Sequence, residues 1–353
     1  MLMKKICHIM WLDKFIPPYI NFIETYLNPK EHTFLVYGDE SYLAQYPLPK
    51  RDNIILLWKR FPNVFLRDLY LAWHIQISDK VFIHGLWEHR ANRVLSFVFW
   101  NLKKCHYAIW GGDLFDYVNG DKNDPWYHKK EKYRRFIIKR FGFFIPVVYG
   151  DYDLACKWYG AKGKMLEPFM YVTFFEKYKD IPFKQQGDNI IIQVGNSAAP
   201  TNNHEEALNI LGQLPNNNLQ IYAPLSYGNM DYANRIKTIG KDLFMDRFHA
   251  LESFMPFSEY QDFLQNVDIA IFNHREQQAM GNIFVLLALG KKVYLNAGTT
   301  HYDFLIQKGF RIFDMNNFNL EPISFEDSTH NRELLIKLYS KENQINNQKS
   351  FYS

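Results

Sequence analysis

Four polar side chains in the first half of the chain follow short apolar runs, at the points where those runs end. His8 closes the first run, His84 and Glu88 follow the fourth, and Asp113 comes directly after the two glycines of "HYAIWGGDLFDY" (106–117). Carboxylates and imidazoles that meet at a cleft can accept a proton from a hydroxyl or position it. Asp113 has a second interpretation, because aspartate is also a favoured N-cap of a following helix. The residues leave both interpretations open.

A turn of small residues follows the apolar run "NIIIQV" (189–194) in the second half. It consists of Gly195, Asn196 and Ser197, and a helical pattern begins soon after it. Such a turn between a strand and a helix lets backbone N–H groups approach a phosphate closely. A plain strand-to-helix turn with no ligand explains the same letters, so the motif alone is ambiguous.

The stretch "FNHREQQAMGNIFVLLALG" (272–290) combines a polar loop with an apolar helix that begins near Met280. The N-terminus of a buried helix favours a diphosphate, and an arginine beside it can add a charge-assisted hydrogen bond. The alternative is a solvated loop before an ordinary helix. The residues predicted to contact a diphosphate-bearing donor are Arg275, Gln277, Gln278, Gly281 and Asn282.

A third loop of the second half, "APLSYG" (223–228), also ends a strand-like run. Tyr227 within it is predicted to contribute contacts to a base or ribose. A structural role for this loop explains the same residues, and the sequence does not decide between the two.

Strand-like and helix-like patterns alternate through both halves, which predicts α/β domains with parallel sheets covered by helices. We expect two Rossmann-like, doubly wound domains facing a cleft, with ligands at the carboxyl ends of the strands. The predicted divisions are an acceptor-binding domain at 1–165, a linker at 166–188, a nucleotide-sugar-binding domain at 189–325 and a C-terminal helix or tail at 326–353, whose last residues are expected to fray.

Composition narrows the class of protein. The chain has 353 residues, of which 47% are hydrophobic and 17% aromatic, and a net charge of only +4 argues against a nucleic-acid partner. Three widely spaced cysteines give neither a zinc spacing nor a disulfide framework, and no metal motif is found, so no metal cofactor is expected. No signal peptide and no apolar run of about 20 residues is visible, which predicts a soluble or membrane-surface protein.

The stretch "YHKKEKYRRFIIKRFGFF" (127–144) holds seven basic residues among aromatic and aliphatic ones. As a helix it has the pattern of a segment lying on an anionic bilayer. The alternative is a solvated helix that packs its apolar stripe on the sheet. The residues predicted to face the membrane are Lys129, Lys130, Arg134, Arg135, Phe136, Lys139 and Arg140.

Several ordered motifs together resemble one family of glycosyltransferases. "AIWGGDLFDY", "VGNSAAPTNNHEEAL", "IYAPLSYG" and "HREQQAMGNIFVLLALG" are similar to elements of the TDP-N-acetylfucosamine:lipid II N-acetylfucosaminyltransferases, which form glycosyltransferase family 56. The resemblance runs from "ICHI" (6–9) to about residue 320. This chain departs from it in its tail, in parts of its loops, and in the extra residue within "REQQ" (275–278).

The resemblance implies a GT-B glycosyltransferase that needs no bound metal, because a helix dipole and side chains supply the positive field. It implies transfer of an N-acetylated deoxyamino sugar from a TDP-sugar to a polyprenyl-diphosphate-linked saccharide of bacterial surface polysaccharide, at the cytoplasmic face of the inner membrane. We expect Asp113 to contact the acceptor hydroxyl, with Glu88 and His84 as the next candidates for catalysis. The residues expected to bind the acceptor are His8, Trp110 and Gly112.

Two alternatives remain from the sequence. One is a GT-B enzyme that uses another nucleotide sugar with a soluble or protein acceptor. The other is a non-enzymatic protein that binds a nucleotide sugar.

Overall fold

The computed structural model describes residues 5–169, 171, 174–215 and 218–353, and it divides into two compact units. The first unit comprises residues up to 173 together with Lys341–Ser353, and the second comprises Phe174–Ser340. Each unit is built around one parallel sheet.

The first unit alternates strands and helices along the chain. Its strands are β1 (Ile6–Trp11), β2 (His32–Tyr37), β3 (Ile54–Leu56), β4 (Lys80–His84), β5 (Cys105–Ala108), β6 (Phe143–Ile145) and β7 (Lys164–Met165). Its helices are α1 (Ile16–Tyr26), α2 (Glu40–Gln45), α3 (Leu57–Arg60), α4 (Val64–Ile77), α5 (His89–Phe97), α6 (Gly112–Asn119), α7 (Pro125–Ile138) and α8 (Tyr149–Tyr159), with short 3-10 helices at Pro29–Glu31 and Phe99–Lys104.

The second unit repeats this alternation. Its strands are β8 (Ile190–Val194), β9 (Leu219–Pro224), β10 (Phe248–Leu251), β11 (Ile269–Phe272), β12 (Lys292–Leu295) and β13 (Phe313–Asp314). Its helices are α9 (His204–Gly212), α10 (Met230–Phe244), α11 (Phe257–Asn266), α12 (Met280–Ala288), α13 (Thr300–Lys308) and α14 (Phe325–Leu338), with 3-10 helices at Glu176–Tyr178, Pro200–Asn202, Met245–Arg247 and Met315–Asn317. One last helix, α15 (Lys341–Tyr352), belongs to the first unit.

The strand order places a topological switch point in each sheet. The first sheet runs β3-β2-β1-β4-β5-β6-β7 and the second runs β10-β9-β8-β11-β12-β13, with every pair parallel. The order reverses between β1 and β4 in the first sheet, and between β8 and β11 in the second. Ligands of doubly wound folds bind outside the carboxyl ends of the strands at such points. The prediction of two doubly wound parallel-sheet domains is confirmed.

The end of the chain is not frayed, and that prediction is wrong. Phe351 and Tyr352 of α15 are buried. The Tyr352 ring lies 4.7 Å from that of His32 and 4.9 Å from that of Phe82, and its hydroxyl is hydrogen-bonded to Tyr19. The sequence of α15 is mostly polar but ends in two aromatic residues. Burial of these two side chains holds the helix against the first unit.

Neighbouring strands of the first sheet carry a chain of buried histidines. The His8 imidazole lies 2.9 Å from His32 Nδ1 and 3.0 Å from His84 Nε2. His106 on β5 stacks between Phe82 and Phe143, with ring centroids 4.4 and 4.3 Å apart. Burial lowers the pKa of His32 and of His106 from 6.5 to about 4, so these rings are neutral in the folded protein.

These histidines predict that acid destabilises the first unit. Because their folded-state pKa values lie below the unfolded value, the unfolded chain binds more protons from about pH 6.5 down to about 4, and stability falls across that window. His106→Phe should reduce the slope by about 1.4 kcal/mol per pH unit, the contribution of one proton. Denaturant unfolding at several pH values between 7 and 4 measures it.

Phe143→Leu is the control for this experiment, because it removes a stacking partner and keeps the imidazole. It should lower the free energy of unfolding at every pH and leave the slope unchanged. Equal slopes for His106→Phe and the parent would show that the buried ring is not the acid-sensitive group.

Candidate functional site

The switch point of the first sheet forms a crevice at the ends of β1 and β4. Trp11, Tyr37, Gly85, Trp87 and Glu88 are among its lining residues. The Glu88 carboxylate caps α5 by accepting a hydrogen bond of 2.9 Å from the Arg90 backbone N–H. Partial burial raises its pKa. Glu88, a predicted catalytic residue, therefore lies at the expected edge of the sheet, and one of its carboxylate oxygens is bonded to the start of α5.

Asp13 is a second carboxylate at this edge, and it was not among the predicted catalytic residues. It follows the end of β1 and accepts a hydrogen bond of 3.3 Å from the Phe15 backbone N–H. The side chain is partly exposed, and desolvation raises its pKa above the usual value. Its position just past the first strand is the sequence signal that would have found it.

Asp113 is buried inside the first unit. The prediction that it contacts an acceptor hydroxyl is therefore corrected. One carboxylate oxygen accepts from the Leu86 N–H at 2.8 Å and from the Tyr107 hydroxyl at 2.7 Å, and the other accepts from the Trp110 N–H at 3.0 Å. Burial raises the pKa of Asp113, while these hydrogen bonds act in the opposite direction. Gly111, with a φ of 89°, is the N-cap of α6. Asp113 therefore joins the loops after β4 and β5.

The predictions for His8 and His84 also require correction. Both imidazoles are buried in the histidine chain of the sheet layer, where α1 and α15 contribute Tyr19 and Tyr352 beside His8. His84 Nδ1 is hydrogen-bonded to the Tyr171 hydroxyl. Neither imidazole is therefore exposed at the surface where an acceptor would bind.

Aromatic side chains line the carboxyl edge of the first sheet. The Trp110 ring lies 5.7 Å from Phe15 and 6.3 Å from Trp87, edge-to-face in both cases. Glycines make room for Trp87, because a Cβ at Gly85 would lie 2.3 Å from its Nε1 and one at Gly112 would lie 3.0 Å from its Cη2. Two carboxylates and partly exposed aromatic rings at one edge are an arrangement that can bind a hydroxyl-rich ligand with apolar faces.

Asn202 joins two loops at the switch point of the second sheet. Its Oδ1 accepts from the Asn196 N–H at 2.8 Å and lies 3.1 Å from His274 Nε2, while its Nδ2 donates to Gln278 Oε1 at 3.1 Å. The Arg275 N–H donates to the Thr201 carbonyl at 3.1 Å. The predicted donor residues after β8 and those after β11 therefore form one cluster.

Gly195 needs the left-handed backbone that it adopts at the start of this cluster. Its φ is 69°, and a Cβ there would lie 2.3 Å from His204 Nε2 and 2.8 Å from Asn202 Oδ1. Ser197 is buried in the same turn, where its Oγ accepts from Asn202 Nδ2 at 3.3 Å. The small residues of this turn therefore serve its packing around the Asn202 amide.

The N-terminus of α12 opens beside the cluster. Its N-cap, Ala279, has a φ of 57° and provides no side-chain cap. Gly281 in the first turn is exposed, and a Cβ added to it would meet nothing within 4 Å. Gln277 is buried, and its Oε1 has no hydrogen-bond partner among the described residues. Uncapped N–H groups at an open helix start attract an anion.

The remaining predicted donor residues lie after β9, after β11 and in the first turn of α12. Tyr227 is half exposed, and its hydroxyl accepts from Asn196 Nδ2 at 3.1 Å. Asn282 Nδ2 donates to the Tyr260 hydroxyl at 3.2 Å. The Arg275 guanidinium is exposed, with one contact of 3.4 Å to Asn203 Oδ1. All the predicted donor residues lie at the carboxyl edge of the second sheet or in the first turn of α12.

Helix α7 packs its apolar stripe into the first unit, so part of the predicted membrane surface is corrected. Arg134 is buried and pairs with Asp116, because its side chain points inward among tyrosines. Phe136 is half-buried beneath the Arg140 guanidinium at 3.8 Å. The predicted positions that remain exposed on or just after the helix are Lys129, Arg135, Lys139 and Arg140; Lys130 is half-buried, 3.5 Å from Asp116.

The described residues contain neither a membrane-spanning helix nor a metal-binding cluster. No helix among them has the length and apolarity to cross a membrane. No cluster of three or more His, Cys, Asp or Glu side chains in the described part of the chain is arranged to hold a metal ion. A separate cavity in the second unit, lined by Phe183, Lys184 and Lys291 among others, lies at the amino edge of its sheet.

Comparison with known proteins gives one family and several related structures. The family model for 4-alpha-L-fucosyltransferase, glycosyl transferase group 56, matches residues 67–324, which is more than half of the chain. A glycosyltransferase from Rickettsia africae ESF-5 is 14% identical with a TM-score of 0.68, covering 100% of this chain and 98% of that one.

Two further structures are similar at comparable identity. Anabaena HepE in complex with UDP is 12% identical with a TM-score of 0.61, covering 98% of this chain and 94% of that one. Sucrose-phosphate synthase from Thermosynechococcus elongatus is 11% identical with a TM-score of 0.62, covering 99% and 98%. These likenesses establish the fold, which is GT-B.

The Asn202 contacts predict a specific loss of stability. Asn202→Ala leaves the Asn196 N–H and Gln278 without their buried partner, and should cost about 1–3 kcal/mol in the free energy of unfolding. Asn196→Ala in the same loop removes one hydrogen bond to the partly exposed Tyr227 hydroxyl and should cost less than about 1 kcal/mol. Denaturant unfolding of both variants, with amide exchange over 195–203, measures the difference; equal costs would contradict the assignment.

Proposed function

Because the chain belongs to the 4-alpha-L-fucosyltransferase family, glycosyl transferase group 56, and is a nucleotide-sugar glycosyltransferase, we propose a specific donor and acceptor. The donor is the TDP derivative of 4-acetamido-4,6-dideoxygalactose or a closely related N-acetylated deoxyamino sugar. The acceptor is a polyprenyl-diphosphate-linked saccharide of bacterial surface polysaccharide, met at the cytoplasmic face of the inner membrane. The ordered motifs that this chain shares with the TDP-N-acetylfucosamine transferases support both choices.

The open N-terminus of α12 is the main observation that supports the proposed binding site for the donor diphosphate. It lies next to the loops after β8 and β11, which Asn202 holds together. In this proposal the N–H groups of the first turn and the Arg275 guanidinium hold the diphosphate, and no metal is required. HepE was solved with UDP and with UDP-glucose, which supports a nucleoside diphosphate here.

In the transfer step, an acceptor hydroxyl oxygen forms a bond to the anomeric carbon of the donor sugar. The bond from that carbon to the diphosphate oxygen breaks, and the nucleoside diphosphate leaves with its electron pair. The field at the helix N-terminus stabilises the negative charge that develops on this oxygen. The hydroxyl proton passes to a carboxylate of the first unit.

Asp13 is the proposed acceptor of that proton. It lies past the end of β1 at the switch point of the first sheet, and its raised pKa makes it a stronger base than an exposed aspartate. Glu88 holds α5 through its cap bond, and both oxygens of Asp113 are occupied. We therefore assign Glu88 and Asp113 to positioning.

Substitution of Gly281 tests the donor site. Gly281→Asp places a carboxylate in the first turn of α12, where it stabilises the helix by about 0.3–1 kcal/mol but repels a diphosphate. We expect about tenfold weaker TDP binding by calorimetry, with unfolding stability unchanged or raised. Gly281→Ala fits the same open space without charge and should bind TDP like the parent. Equal affinities for the two variants would exclude this helix from the diphosphate site.

The proposed reaction is tested by transfer of labelled sugar from TDP-4-acetamido-4,6-dideoxygalactose to a polyprenyl-diphosphate disaccharide. Label in the lipid fraction supports the proposal. Label only in a soluble oligosaccharide, or only from a UDP-sugar, would replace it with the corresponding alternative. Asp13→Asn should lower the rate by about a hundredfold or more with TDP affinity unchanged, and Glu88→Gln by less than about tenfold. The reverse order would make Glu88 the base.

A further inference from the structure

Large apolar side chains stand exposed on one helical layer of the first unit. Phe65 and Phe97 are 68% and 66% exposed, and Trp100 is 61% exposed. Single exposed apolar residues are ordinary, whereas a group of them marks an interaction site. We call this group the aromatic face; it consists of Phe65, Leu66, Leu69, Trp73, Phe97, Phe99 and Trp100.

Helices α4 and α5 bring these residues together because they run side by side in the same direction. Arg93 of α5 pairs with Asp68 of α4 toward their first turns. At the other end, the Trp100 indole N–H donates to Gln76 Oε1 at 2.8 Å, and Asn101 Nδ2 donates to the same oxygen at 2.9 Å. The two helices therefore present adjacent stripes along their whole length.

The spacing within α4 confirms that its exposed residues share one side. Leu66, Leu69 and Trp73 follow helical spacing, whereas Leu71 and Ile75 are buried against the sheet. Beyond α5, the Phe99 ring lies 5.5 Å from Trp100 and 6.3 Å from Phe136 of α7. These contacts extend the aromatic face from Trp100, beside the end of α4, to the edge of α7.

Positive charge is concentrated on the same layer. Residues 64–77, 89–104 and 125–140 hold twelve Lys and Arg but only two acidic residues, an excess of ten in a chain whose net charge is +4. Both acidic residues are engaged, Asp68 with Arg93 and Glu131 with Arg135. The remainder of the chain is therefore net negative. Arg134 and Lys130 pair with Asp116 of α6, and the other basic residues still give this layer of the first unit a positive excess.

We propose that the aromatic face docks on an anionic phospholipid bilayer. Exposed Trp, Phe and Leu side chains can enter the boundary between headgroups and acyl chains, while surrounding Lys and Arg attract anionic headgroups. The charge concentration favours this occupant over a second copy of the chain, since two such faces would repel each other. Helix α7 then contributes basic side chains, and α4 and the 3-10 helix at Phe99–Lys104 contribute the apolar contact. The proposal does not depend on which sugar is transferred.

Vesicle co-sedimentation of the full chain tests the proposal. The probes are vesicles of phosphatidylcholine alone and of phosphatidylcholine mixed with phosphatidylglycerol. The parent should bind the anionic vesicles about tenfold or more tightly than the neutral ones, and added salt should weaken the binding. The double variant Trp73→Gln, Phe97→Gln should lose about tenfold in affinity for anionic vesicles, because it removes apolar contact without changing charge.

The matched control is Phe254→Gln with Met230→Gln, which alters two exposed apolar residues of the second unit. It should bind vesicles like the parent. TDP binding and thermal unfolding of both double variants establish that each is folded.

Two results would overturn the proposal. The first is equal vesicle affinity for the Trp73, Phe97 variant and the parent. The second is a parent that does not bind anionic vesicles and forms a dimer in solution that the Trp73, Phe97 variant does not form; that result would assign the face to a second copy.

Discussion

One buried side chain at the carboxyl edge of each sheet holds together loops that leave neighbouring strands. In the second unit, the Asn202 amide bonds the turn after β8 to the loop after β11. In the first unit, the Asp113 carboxylate bonds the loop after β4 to the loop after β5. Hydrogen bonds of this kind are strongly favoured because an unpaired polar group in the same place would be costly. Within each unit, the loops that bear the candidate site residues are therefore bonded directly to one another.

The need to hydrogen-bond buried polar groups also distinguishes carboxylates that hold loops in place from carboxylates that can accept a proton. The Asp113 carboxylate accepts hydrogen bonds from two backbone N–H groups and the Tyr107 hydroxyl. A general base needs a free oxygen for the hydroxyl that it deprotonates. Asp13 is only partly buried and accepts one weak hydrogen bond from the backbone. Burial raises the pKa of both carboxyls, so the roles that we propose for them rest on the number of internal donors that each carboxylate accepts from.

The sequence predicts the two sheets well, because alternating apolar runs and helical patterns depend on local spacing. The residues predicted to bind the donor do lie after strand ends, since Gly195 follows β8 directly and Arg275 lies three residues after β11. The sequence fails for His8, whose imidazole pairs with rings contributed by other strands, and for Tyr352, which docks far from its neighbours in the chain. Those contacts are tertiary, and local spacing holds no information on which buried polar atoms pair. Helix α4 is apolar on both sides, so its pattern does not distinguish a buried stripe from an exposed one.

Helix α5 connects the two surfaces of the first unit for which we propose functions. It begins at the Glu88 cap, beside the crevice at the switch point, and ends at Phe97 in the aromatic face. Nine residues of helix span about 13 Å, which is shorter than a chain of a few sugars. Asp13 and Phe15 follow β1 at the same carboxyl edge of the sheet. If the aromatic face rests on a bilayer, the lipid part of the acceptor can stay in the membrane. The saccharide attached to its diphosphate then extends toward Glu88 and Asp13. A soluble acceptor would need neither the exposed tryptophans nor the basic excess around them, so a bilayer contact at the aromatic face and a lipid-linked acceptor support each other.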